Sequence, residues 1–285
     1  MERVEGSREL ICAVETARRA GRLLRDLFER EHTVRTKSSA IDLVTEADPA
    51  SEALIIESLR SGFPQYPILS EEGLGDLEAL SDEGAGEGTG VAAAWASGIW
   101  IVDPLDGTVN YAHRYPSWGV SISLAVGGRV QVAATVDPMR GNTYWAERGR
   151  GAWCDGRRLQ VSKVARLAES LLMTGFSYDV AAGNDNNLAE FGALMLQVHA
   201  VRRAGAAVLD LAHVADGRLE GYWEKRLRPW DWAAGWLLVE EAGGTVTDLG
   251  GRPWTLQSDT LVASNGAIHA ELLEALREAG AGTAL

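Results

Sequence analysis

Residues 99 to 106 read IWIVDPLD: an apolar run that ends in two aspartates, three residues apart, around a proline. An aspartate is seldom buried without a partner, yet Asp103 follows Trp100, Ile101 and Val102 with no polar transition. A run of this kind reads as a buried strand, which other elements have to cover on both faces. The strand's end then holds two negative charges at its mouth, and the rest of the chain has to supply the reason.

The elements around it follow from periodicity and turn residues. Leu10, Ile11, Val14, Ala17, Leu24, Leu27 and Phe28 fall at helical spacing, with Arg and Glu opposite and Ser7 as N-cap, which predicts a long amphipathic helix over 7–30. A second helix is expected after Asp48-Pro49, and QYPILSEEG reads as a short strand ending in two glutamates. Residues 73–98, rich in Gly, Glu and Ala with no clear period, read as a surface loop or crossover. Runs from 118 to 163 separated by turn signals predict a largely antiparallel sheet.

The second half alternates differently. SLLMTGFSYD, EGYWE and TLVASNG read as strands; NLAEFGALMLQVHAV, GAAVLDLAHVADGRL and WDWAAGWLLVEEAGG read as helices. Two units are therefore expected. Residues 1–165 would form an α+β half with most of the acids of interest, and 166–285 an α/β half supplying Asp231. In both, sheets are covered by helices.

Charge narrows the function. With a net charge of −13 over 285 residues, a broad nucleic-acid surface, which needs clustered Lys and Arg, is not expected. Cys12 and Cys154 make no CxxC pair, and no run has the length of a signal peptide's apolar core or a membrane span, so a cytoplasmic protein is expected. P-loop, GxSxG, HExxH and zinc-ligand spacings are all missing.

Carboxylates and glycines remain. Glu71 closes YPILS, Asp103 and Asp106 close WIV, and Asp231 opens the helix after Pro229-Trp230. Converging on one pocket, such acids repel and raise one another's pKa. Mg²⁺ removes that cost, because it takes hard oxygen ligands and keeps positions open for phosphate oxygens. Pro104 stiffens the DPLD segment so that both acids can face one side, with the Leu105 carbonyl as a further oxygen. Gly107-Thr108 then offers backbone N–H groups at a helix start. Metal ligands followed at once by an anion cradle form a phosphoryl-transfer layout.

DLVTEAD (42–48), SEEG (70–73), IVDPLDGTVNYAHRYP (101–116), RRAGAAVLDLAHVADGRLEGYWE (202–224) and WDWAAGWLLVEEAGG (230–244) occur in the order found in the inositol monophosphatase family. The chain resembles that family from about residue 7 to residue 265. The resemblance implies a layered αβαβα sandwich, two or three Mg²⁺ ions, lithium inhibition, homodimers and hydrolysis of a small phosphorylated polyol or sugar. It implies metal ligands at Glu71, Asp103, the Leu105 carbonyl, Asp106 and Asp231. Glu71, and Thr108 with Asp48, would activate and orient water. Asp106, Gly107, Thr108, Ala207 and Glu224 would contact substrate, and Lys37 would sit in an entrance loop. Inositol monophosphate is the leading substrate. Fructose 1,6-bisphosphate, histidinol phosphate and nucleotide 3′-phosphates stay open, as does a regulatory role in transcription complexes.

Several of these residues have plainer roles beside them. Asp48 before Pro49 suits a helix N-cap with proline at the first helical position. Asp231 suits a first-turn acid on the helix dipole. Glu224 suits an exposed acid at a strand end, and Glu72 a solvated neighbour. Asp42 and Thr45 read as local hydrogen-bonding groups, and the tryptophans as core and interface. Val109 and Ala206 depart from the family pattern, which has a second threonine at the first position and often serine or threonine at the second.

Overall fold

The computed structural model describes residues 4–30, 32–36, 43–73, 91–177, 180, 186–255 and 258–281. The N-terminal helix α1 (Arg8–Phe28) is capped as expected, Ser7 accepting from the Leu10 N–H at 3.2 Å. Its apolar stripe, with α2 (Ala47–Gly62), covers one face of a seven-stranded sheet. The strands of that sheet are β3 (Ile68–Ser70), β4 (Ile99–Asp106), β5 (Gly119–Val126), β6 (Arg129–Asp137), β7 (Asn142–Glu147), β8 (Gly151–Cys154) and β9 (Arg157–Arg158), adjacent in chain order. Only β3 and β4 pair in parallel; every later pair is antiparallel. A two-residue ladder, β1 (Arg35–Thr36) with β2 (Leu43–Val44), precedes α2.

The other face of the large sheet packs on α6 (Ala207–Ala215) and α7 (Pro229–Glu241), which are sandwiched against a second sheet. That sheet has the order β11 (Ala200–Arg202), β10 (Leu171–Thr174), β12 (Gly221–Lys225), β14 (Thr260–Ser264), β13 (Thr245–Thr247). Its β10 runs parallel to β11 and β12, while β14 is antiparallel to β12 and β13. Leu194 of α5 (Leu188–Met195) and Leu272 and Leu276 of α8 (His269–Ala281) close the far face around Trp223 and Leu172. Five layers, αβαβα, result. The outer helix α1 buries one stripe, whereas α6 and α7, between two sheets, are buried nearly all round; β4, apolar on both faces, lies inside the large sheet as its run required.

Three local expectations change. Val91–Ser97 forms a short helix, α3, where a loop was expected, because VAAAWAS is rich in alanine and has no helix breaker. The stretch read as one helix from 187 to 201 stops at Met195, and its β-branched end pairs with β10 as an outer strand. The segment SLLMTGFSYD contributes only Leu171–Thr174 to the sheet. Trp95, Trp100, Trp118, Trp145, Trp223, Trp232, Trp236 and Trp254 are all buried, as core residues should be.

Candidate active site

The two aspartates are brought to one side by an irregularity in the ladder. Asp103 pairs with Ser121 and Asp106 with Gly119, so three steps along β4 match two along β5. One extra residue is a β-bulge. Without it, alternation would send residues i and i+3 to opposite faces; with it, Asp106 returns to the side of Asp103. Ser51 of α2 fastens the bulge, its hydroxyl donating to the Pro104 carbonyl at 2.7 Å. The Leu105 N–H donates to Asp103 Oδ1 at 3.2 Å.

Asp48 does not cap α2. The helix begins two residues earlier, at Ala47, with Glu46 in the cap position and no side-chain cap bond. Asp48 is fully buried in the first turn. Its Oδ2 accepts from the Thr45 N–H at 2.9 Å and the Thr45 hydroxyl at 2.6 Å, and its Oδ1 from the Thr108 hydroxyl at 2.9 Å. Thr45 is thus the local hydrogen-bonding group its position suggested. The Thr108 hydroxyl also lies 3.1 Å from the Leu105 carbonyl. Asp48, Thr108 and Leu105 therefore touch through one oxygen.

Gly107 sits before the short helix α4 (Thr108–Ala112) with φ +88°, a left-handed conformation that glycine adopts without strain. An added Cβ there would stand 3.0 Å from the Ser117 carbonyl and 3.2 Å from that of Gly205. Asn110 ties the same loops together, its amide donating to Ser117 O at 2.7 Å and Ala204 O at 2.8 Å. From the middle layer, the Val208 N–H donates to Asp106 Oδ2 at 2.8 Å, which docks the start of α6 on the end of β4. Ala207, next to it, is half-buried, and Ala206 behind it is buried.

Asp231 has the plainer role as well as a place at the site. It is the third residue of α7 and accepts from the Arg228 N–H at 2.6 Å as part of a capping box. Glu224 is not an exposed strand-end acid. It is buried on β12, where the Tyr222 hydroxyl donates to its Oε2. Lys37 and Asp42 lie outside the described residues.

The acids feel one another. Burial, then the charges of Glu71, Asp106, Asp231 and Glu72, push Asp103 well above the ordinary carboxylate range. Burial pushes Asp106 up to about 8, with Glu71 and Glu224 adding to it against the Val208 N–H. Asp231 rises through burial, Glu71 and Asp106, and burial takes Glu224 to about 7. Contributions from four elements therefore meet at the C-terminal end of β4. Among the described residues no three of these acids stand close enough to hold an ion jointly as they are. The donor set is nonetheless all hard oxygen, and its mutual repulsion is the signature that a divalent cation relieves.

Other residues shape the site to which the motifs had given no role: Ser51 and Asn110, which fasten its loops, and Tyr222, Arg203 and Asp210, whose hydroxyl or charge acts on Glu224. Asp210 alone had a readable signal, as the single acid inside the apolar AAVLDLAHVA helix, where it is 2% exposed.

Comparison with known proteins finds a matching family and fold. The model of the inositol monophosphatase family matches residues 7–281. The Nus factor SuhB of Pseudomonas aeruginosa is 42% identical over 271 residues, covering 94% of this chain and 95% of its own. The inositol-1-monophosphatase of a Synechocystis species is 40% identical over 267 residues, with 94% and 88% covered. The solved structure of inositol monophosphatase from Anabaena (Nostoc) superposes with a TM-score of 0.81 at 40% identity, covering 95% of both chains.

Proposed function

Because the chain belongs to the inositol monophosphatase family, we propose that it hydrolyses a small-molecule phosphate monoester, with inositol monophosphate as the leading substrate. The observation that carries this reading is the contact of Asp48, Thr108 and Leu105 through the Thr108 oxygen, beside the acid pair on the bulge of β4. Glu71, Asp103, the Leu105 carbonyl, Asp106 and Asp231 would hold Mg²⁺, two or three ions in all. Bound there, Mg²⁺ supplies positive charge for the attacking water and the leaving oxygen.

The chain's own groups do the rest. The Thr108 hydroxyl donates its hydrogen bond to Asp48, so its oxygen lone pairs are left to accept from a water and fix its orientation. Buried Asp48 is itself locked by two bonds from Thr45, and it keeps the hydroxyl in that sense. Glu71 would take the water's proton. Gly107 lets the backbone pass close to a phosphate without a side chain in between. Glu224, held by Tyr222, accepts from a hydroxyl of the leaving group. Leu188, Met195 and Leu196, exposed apolar residues on and beside α5, support a homodimer.

Phosphate release from inositol 1-phosphate, fructose 1,6-bisphosphate and histidinol phosphate, with Mg²⁺ or EDTA, tests the reading. Asp103→Asn is expected to lower kcat/KM at least 100-fold, by analogy with the loss of a charge-stabilising group in other enzymes. A variant as fast as the wild type would reject the metal assignment. A relative named Nus factor SuhB at 42% identity favours a second reading, a role as a factor of that kind. Such a role should survive Asp103→Asn, whereas hydrolysis should not.

A further inference from the structure

His32 stands between the two elements that carry Asp48 and Thr108. Its side chain follows the end of α1 and is 2% exposed. Nε2 lies 3.0 Å from the Phe28 carbonyl, one of the last four of α1, for which the helix has no donor. Nδ1 lies 3.0 Å from Oε1 of Glu46, the residue before α2. The other oxygen, Glu46 Oε2, accepts from the Thr33 N–H at 2.8 Å. The His32 ring also rests on Tyr111 of α4, with centroids 4.8 Å apart. Tyr111 is itself fixed, its hydroxyl donating to the Leu24 carbonyl at 2.6 Å and its ring packed on Phe28 and Trp118.

These partners select one form of the ring. A neutral imidazole has one N–H and one lone pair, whereas a backbone carbonyl and an ionised carboxylate only accept. Both nitrogens have to donate, so the imidazolium is the form that fits. Its place at the C-terminal end of α1, with a carboxylate at the N-terminal end of α2, suits both helix dipoles, and the Tyr111 ring offers a face to the cation. Burial opposes it, but the bond and charge of His32, with the Thr33 N–H, hold the Glu46 carboxyl below its ordinary value. The other ionisable groups around this junction are Tyr111, Asp48 and Arg30. Tyr111 keeps its proton, first through burial and then through the charges of Asp48 and Glu46, against that of Arg30.

Glu46 lies between Thr45, whose N–H and hydroxyl hold Asp48, and Ala47, the first residue of α2. Tyr111 belongs to the short helix that starts with Thr108. His32 therefore joins the two elements across which the bond from Thr108 to Asp48 runs.

Resting on the hydrolytic reading above, we propose that His32 is a positioning residue: as an imidazolium shared by Phe28 and Glu46, it sets the first turn of α2 against α4 and keeps Asp48 on the Thr108 hydroxyl. Loss of the ring proton turns a lone pair towards the carboxylate, and the tether opens.

The test compares wild type, His32→Gln and Glu46→Gln, as full chains with Mg²⁺ and inositol 1-phosphate. It is run at pH 6 and pH 9, which span the range where imidazoles change charge. In Glu46→Gln the amide oxygen keeps the Thr33 N–H and the amide N–H faces Nδ1, which suits a neutral ring and not a charged one. Its kcat relative to wild type is expected below one at pH 6. By pH 9 that ratio should rise about three- to tenfold, at most the worth of a hydrogen bond to a charged group. His32→Gln, which cannot titrate, should lose kcat several-fold at pH 6 and less at pH 9. KM should stay within about twofold in both variants, because the tether acts on the water and not on the substrate. The acids of the site are common to all three proteins, so their titration cancels in the ratios. Proton–nitrogen NMR of the wild type at pH 6 should show two imidazole N–H signals, protected by the two bonds and absent from His32→Gln.

Ratios that do not change with pH overturn the inference, since a merely structural side chain costs the same at both. So does a single His32 N–H signal at pH 6. If His32→Gln fails to fold, Glu46→Gln decides alone. A wild type inactive on inositol 1-phosphate and on other phosphate monoesters overturns the hydrolytic reading and the positioning role with it; the NMR signals tell that failure from a failure of the tether.

Discussion

Asp106 and Glu224 hold their protons to about pH 8 and about pH 7, first because burial disfavours their charged forms. In the unfolded chain both would titrate near pH 4 (about the ordinary carboxylate value). Below that value folded and unfolded forms both carry the proton, and there is no penalty. Between about pH 4 and the folded pKa, unfolding releases a proton, so these acids lower stability progressively as pH rises. A cation held at Asp106 offsets that acid's share of the penalty. The shift in Tm produced by Mg²⁺ over EDTA is therefore expected to be larger at pH 8 than at pH 5, as read by differential scanning calorimetry. An equal or reversed difference would show that no cation relieves the raised acids in the folded protein.

Between elements, the weight falls on α6 and α7, which carry the Val208 N–H and Asp231 to the site from the middle layer. Their packing is close: Gly235 of α7 faces Leu211 of α6, and a Cβ there would overlap the leucine side chain. Gly235→Ala should therefore push the helices apart despite the better helix propensity of alanine. The expected cost is about 1–2 kcal/mol of stability, overpacking less the propensity gain. Measured by urea unfolding, a variant more stable than wild type would mean that the interface yields freely. The same displacement should lower kcat/KM, because both helix starts touch the acid cluster.

At the scale of the molecule, the described residues gather three exposed apolar side chains at and just beyond α5. Leu188 is 53% exposed, Met195 53% and Leu196 89%. Apolar groups so placed mark interaction surfaces, and a second copy of the chain is the expected partner. Sedimentation equilibrium should give the mass of two chains. Leu188→Asp with Leu196→Asp should give one, with the fold intact by circular dichroism. A wild-type monomer at micromolar concentration would reject the dimer.

Much of this was legible in the residues themselves. The apolar period of α1, the doubly buried β4 and the acids at element ends follow from local rules that need no partner: alternation, helical spacing, and the cost of a buried charge. The nature of the site, hard oxygen donors followed by a glycine turn, was in DPLDGT. What local pattern could not carry was any contact between residues distant in the chain. The phase of Asp103 and Asp106 depends on how β5 pairs with β4, since a bulge is a property of two strands. The start of α2 moved to Ala47, and Asp48 turned to Thr108, sixty residues away, when its burial called for hydroxyl partners. Ser51, Asn110, Arg203 and Tyr222 gained their roles in the same manner. The sequence by itself determined most of the elements and which acids stand at their ends. Tertiary structure decided which side chains face one another, because hydrogen bonds and fields act across a few ångströms of space whatever the separation along the chain.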